Sequence, residues 1–169
     1  MKNALIVTCI IFSFFKVDAQ VGIEVQFGGS NFLGASINTK YTIPICDSSR
    51  HTITPSLGIG FLLPTWDAPT SIIHFGVNYA YKKIGIGVEA SGFTDNPFVS
   101  SAKVRSFVDV IIYPNVNYTF QFKSPLYLSV STGIYLAYSK ESKYYNSSNN
   151  WHFEGDIIPG GGFSLGYKF

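Results

Sequence analysis

His74, Ser91 and Glu89 are the residues whose types could carry nucleophilic chemistry. A serine needs a base to take its proton and a carboxylate to orient that base. Lys82 and Lys83 read as a two-residue hairpin turn, which pairs Tyr81 with Ile84. Counting back along both strands places His74 opposite Ser91, with Glu89 on the diagonal two residues along. Acyl transfer or hydrolysis is the chemistry such a trio would perform. The plainer reading is a polar packing contact. It is preferred, because no His- or Ser-containing catalytic motif surrounds the three.

Other polar side chains admit similar pairs of readings. Asp109, Glu154 and Asp156 would offer hard oxygen ligands to a cation, but their spacing matches no known loop motif. With Glu24, Lys40 and Glu89 they read instead as a polar network, since buried charges must be paired. His152 beside Trp151 has no partner imidazole, because His51 falls at the opposite end of the structure. No metal or other cofactor is expected. Cys46 is a bystander thiol in a turn. Asn117-Tyr118-Thr119 and Asn146-Ser147-Ser148 fit the N-glycosylation pattern and are read as coincidence.

The elements that must position these residues follow a period of two. Backwards from Phe169, the residues Tyr167, Leu165 and Phe163 alternate with Lys168, Gly166, Ser164 and Gly162. Such alternation marks a strand with one apolar face. Eight segments read this way: 21–28, 32–43, 52–63, 72–81, 84–93, 106–120, 126–139 and 151–169. The links at 44–51, 82–83 and 121–125 are short. Those at 64–71, 94–105 and 140–150 are longer, and Gly29–Asn31 breaks the alternation by being short. The expected fold is all-β, an eight-stranded antiparallel up-and-down transmembrane β-barrel.

The start of the chain reads as a secretory signal peptide. Lys2 is followed by an apolar run from Ala4 to Phe15, and Val17 and Ala19 stand at the small-residue cleavage positions. Residues 1–19 are therefore expected to be removed, and residues 20–169 to form one domain. Only Cys46 would then remain, so no intramolecular disulfide is expected. Taking Lys2, Lys16 and Asp18 from 12 basic and 10 acidic residues leaves a nearly neutral chain. Without a basic run it is not expected to bind nucleic acid. Charged residues are 13% of the chain and aromatics 17%. Soluble domains carry about 25% charged residues.

The two faces choose the environment. A soluble lipocalin-type barrel would turn the apolar face inward and present charge to water. Here the other face is mostly Gly, Ser, Asn and Tyr, which suits the bore of a narrow barrel better than a wet surface. Tyr41, Tyr79, Tyr81, Tyr118, Phe120, Tyr138, Trp151, Tyr167 and Phe169 gather near strand ends, as interfacial aromatics do. The chain resembles the small eight-stranded outer-membrane barrels of diderm bacteria, the class of outer-membrane protein X and the membrane domain of outer-membrane protein A. Phe163, Leu165, Tyr167 and Phe169 are similar to the carboxy-terminal signal that the barrel-assembly machinery reads.

The resemblance implies an outer-membrane location, contact with lipid and lipopolysaccharide, and a non-enzymatic structural or surface-recognition role. Recognition would rest on the longer loops. There Phe98, Lys103, Arg105, Lys140, Lys143, Tyr144 and Tyr145 could meet lipopolysaccharide or an extracellular protein. The alternatives are a lipid A-modifying acyl hydrolase or transferase using His74, Ser91 and Glu89, and a pore for small solutes. An acyl pocket would need an apolar stretch of lumen, for which Phe93, Phe107, Ile111 and Ile158 are scattered candidates.

Overall fold

A computed structural model describes residues 19–45, 50–62, 70–95, 109–138, 151–152 and 158–169. The predicted signal peptide, except Ala19, and all seven loop residues named above lie outside the described residues. The strands are β1 (Gln20–Gly28), β2 (Gly34–Pro44), β3 (His51–Leu62), β4 (Thr70–Tyr81), β5 (Ile84–Asp95), β6 (Val110–Gln121), β7 (Leu126–Tyr138), a two-residue β8 (Trp151–His152) and β9 (Ile158–Lys168). Each pairs antiparallel with its neighbour from β1 to β7. Pairing of β7 with β9 and of β9 with β1 closes an eight-stranded barrel. Among the described residues no helix is long and apolar enough to cross a membrane.

The expected continuous last strand, 151–169, is corrected to two pieces. Both β8 and β9 pair with β7, but the β8 register does not continue that of β9. The Lys82–Lys83 turn pairs Tyr81 with Ile84 and His74 with Ser91, the register its two-residue length dictates. Two prolines interrupt ladders, because a proline has no N–H to donate. Pro55 keeps its place opposite Val77, while the β2–β3 ladder skips from Lys40–Ser56 to Ile43–Ile53. Pro114 likewise faces Val88 while the β6–β7 ladder skips past it.

Alternation places the apolar side chains outward. Leu57 is 62% exposed, Ile59 69% and Ile37 60%, whereas Glu24, Asn38, His74 and Ser91 are at most 1% exposed. Among the described residues no charged side chain occupies an outward strand position. The inverted arrangement of a soluble ligand-binding barrel is therefore not the one this chain adopts.

The short Gly29–Asn31 link has a structural reason. It is a 3-10 turn folded into the bore, with Gly29, Ser30 and Asn31 all buried. Gly28 at φ +71° and Gly29 at φ +60° turn the chain inward, a conformation that costs glycine nothing. A Cβ on Gly28 would lie 2.5 Å from the Gly161 carbonyl oxygen, a backbone atom of the neighbouring strand. Phe32 leaves the turn at φ +58°, so β2 begins at Gly34 rather than at Phe32. Gly28→Ala is expected to destabilise the barrel by about 1–3 kcal/mol through strain and this clash. The urea midpoint of folding into detergent micelles checks it.

Candidate functional site

The lumen holds the polar chemistry of this chain, in layers set by strand register. The end carrying the 82–83 and 122–125 turns is here the turn end, and the opposite one the loop end. Nearest the turn end, Lys40 on β2 forms an ion pair with Glu24 on β1 at 2.6 Å. The Tyr127 hydroxyl donates to the same Glu24 Oε2 at 3.1 Å. The ammonium groups of Lys40 and Lys168 lie 5.9 and 5.3 Å from the centre of the Tyr127 ring. Cross-strand pairing explains the meeting, because Glu24 and Lys40 point into the bore two positions apart on adjacent strands.

Glu89 occupies the next layer. Its carboxylate accepts from Gln26 Nε2 at 2.7 Å, from the Ser30 backbone N–H at 3.4 Å and from Asn115 Nδ2 at 3.4 Å. Asn38 Nδ2 in turn donates to Gln26 Oε1 at 2.7 Å. Asn117 extends the network by donating to Asn78 at 2.6 Å and to Asn115 at 3.1 Å. Between these layers lies a polar cavity of about 50 Å³, lined by Glu24, Lys40, Ser56, Glu89, Asn115 and Ser131 among others. Ligand pockets usually hold roughly 300–1,000 Å³. This one has room for a few water molecules.

Above Glu89, the inward turn packs on His74 and Ser91. Ser30 Oγ lies 3.0 Å from His74 Nδ1 and 2.8 Å from Ser91 Oγ. Ser91 donates to Asn31 Oδ1 at 3.0 Å, and Asn31 Nδ2 donates to Ser36 Oγ at 2.7 Å. Ser91 Oγ and His74 Nδ1 are 3.4 Å apart, and Ser56 Oγ stands 3.5 Å from His74 Nε2. The register thus brings His74 and Ser91 together, as counting from the turn implies. Glu89 does not join them. Its oxygens serve Gln26, Ser30 and Asn115, and the far nitrogen of His74 faces a serine. Ser91 Oγ lies nearer to the Ser30 hydroxyl and the Asn31 amide oxygen, at 2.8 and 3.0 Å, than to the imidazole, at 3.4 Å.

Nearest the loop end is a small apolar layer of Ile72, Phe93 and Ile111, with Leu62, Tyr135 and Ala137 packed against it. Phe93 and Ile111 are therefore not scattered. Ile158 is 47% exposed and takes no part, and Phe107 lies outside the described residues. Of the three carboxylates considered as cation ligands and read instead as part of the polar network, Glu154 and Asp156 also lie outside the described residues. Asp109 is half-buried, and its backbone bridges Phe93 and Tyr138. Among the described residues no cluster of three metal-ligating side chains occurs.

Sequence reading missed Ser30 and Asn31, and it placed Gln26, Asn38 and Tyr113 on the lumen face without giving them a role. The signal for the first two was present: a Gly-Gly pair opening a link too short for its place in the alternation. Tyr113 is fully buried, and its hydroxyl donates to the Gly160 carbonyl at 3.2 Å. The site defines the class of structure, a closed barrel plugged by its own turn and side chains. No family model matches the chain, nor does any curated protein or solved structure compared with it.

Glu24 is buried, while Lys40 keeps 24% of its side-chain surface. Lys40→Met should cost about 3–5 kcal/mol, because it strands the Glu24 carboxylate without its partner. Adding Glu24→Leu should recover most of that loss. A double-mutant cycle on unfolding midpoints measures the coupling, and additive losses would show that the pair contributes nothing.

Proposed function

We propose that this chain is a non-enzymatic integral outer-membrane β-barrel protein. Its lumen is filled by its own side chains, and its role is structural or one of surface recognition through the longer links expected from the sequence at 94–105 and 140–150. The observation that carries this reading is the exterior. It is apolar around the circumference and bears no charged side chain at any described outward strand position. Water tolerates exposed apolar patches of only a few hundred Å² on ordinary monomers. Lipid requires such a surface, and it requires a closed ladder with no unpaired edge. The seven long strands of 11 to 13 residues that accompany β1 also suit it. A tilted crossing takes about 9–11 residues.

Aromatic side chains ring the turn end. Tyr118 packs edge-on against Phe120 at 4.6 Å, and Tyr167 against Phe169 at 5.1 Å. Rings with one polar tip favour the boundary between hydrocarbon and headgroups.

The packed lumen favours this reading over acyl transfer. Ser91 is fully buried beneath the inward turn, so an acyl chain would have to displace that turn to reach it. The same plug disfavours a pore. Ser91→Ala should leave the lipid A species unchanged by mass spectrometry, and the wild type should give no discrete conductance in planar bilayers. An altered lipid profile would restore the enzyme, and conductance steps would restore the pore.

The membrane reading itself is tested by heat-modifiability. The protein should sediment with outer membranes and change gel mobility on boiling. Recovery in the soluble periplasmic extract, with no shift, would overturn it. Leu57→Arg, near the middle of β3, should cost about 2–4 kcal/mol of folding stability in lipid. For a barrel surrounded by water the same change would be close to neutral.

A further inference from the structure

Resting on the membrane reading, we propose that the turn end carries a site for the phosphate of an anionic phospholipid headgroup, formed by Arg50, Lys82 and Lys83 beside Tyr79, His51 and Tyr81. The backbone sets the three cations side by side. The Lys82 N–H donates to the Arg50 carbonyl at 2.7 Å, and the Thr119 N–H donates to the Lys83 carbonyl at 2.8 Å. All three side chains are exposed, and Lys123 stands in the next turn of the same rim. Among the described residues none of the four makes an ion pair, the Lys40–Glu24 bridge lying inside the bore. Asp47 lies outside the described residues.

Local structure does not call for lysine at this turn. Lys82 has φ +55°, and a two-residue hairpin with positive φ at its first central residue favours glycine there. A long charged side chain at that position costs stability without improving the turn. Its neighbours hold it in place: the Lys82 ammonium lies 5.4 Å over the Tyr81 ring, and His51 packs on the same ring at 4.8 Å. His51 Nδ1 also meets the Tyr79 hydroxyl at 2.7 Å.

The strip sits beyond the outward apolar residues Ile53, Ile84 and Val116, which are 39%, 57% and 51% exposed. A lipid whose acyl chains lie against those residues would bring its phosphate to the cations. Ammonium and guanidinium groups bind phosphate through charge-assisted hydrogen bonds. The aromatic group fits the same depth in the bilayer.

The test uses the full mature chain in nanodiscs of phosphatidylcholine with a minor fraction of phosphatidylglycerol. After extraction into mild detergent, the retained lipid is quantified by mass spectrometry. The wild type should retain phosphatidylglycerol above its bulk fraction. The Lys82→Gly/Lys83→Ser variant has the better turn sequence, so it should fold, and its enrichment should fall roughly five-fold per lysine removed. Retention in the bulk ratio by the wild type, or equal enrichment in the variant, would overturn the site. Failure to enter nanodiscs would sink the membrane reading and this site with it. Entry with bulk lipid ratios would sink the site alone.

Discussion

Confinement of every described inward-facing charge to a bore eight strands wide is the constraint on which the rest of this structure depends. The exterior carries no charged side chain at the described outward strand positions, so the acids and bases of the strands face one another inside. A buried charge without partners is far too costly to keep. Glu24 has Lys40 and the Tyr127 hydroxyl, and Glu89 has three N–H donors. The asparagines and serines around them act as spacers and relays, which accounts for a polar face so rich in small amides and hydroxyls.

The inward turn follows from the same constraint. The five residues 29–33 join β1 to β2, and the first three of them are buried in the bore. Folding Gly29–Asn31 inward delivers a backbone N–H to Glu89, a hydroxyl to His74 and an amide to Ser91 and Ser36. Two glycines make the entry possible, and Phe32 absorbs strain at the exit. The contact that resembles half of a catalytic triad is thereby a packing joint. The turn sets Ser30 and Asn31 within hydrogen-bond reach of Ser91 and places Ser30 against the imidazole.

The two ends of the barrel have different characters. Towards the loop end lies a small apolar layer, Ile72, Phe93 and Ile111. The turn end presents aromatic rings and cations that form no ion pair among the described residues, including a lysine at a backbone angle that favours glycine. Such a residue marks a place where something other than chain geometry selects the side chain.

The sequence by itself determined the eight strands of the barrel ring, the alternation of faces along the described strands and the register across the 82–83 turn. A period of two is a local property, and a two-residue turn leaves no freedom of pairing. From these, His74 opposite Ser91 and Glu24 near Lys40 were legible. Only the tertiary structure decided that Glu89 belongs to Gln26, Ser30 and Asn115 rather than to His74. It likewise decided that Phe93 and Ile111 meet Ile72, that 151–169 is not one continuous ladder, and that residues 29–31 turn into the bore. These outcomes depend on which side chains face each other across the lumen. That distance is set by closure of the whole ring, and no local periodicity encodes it.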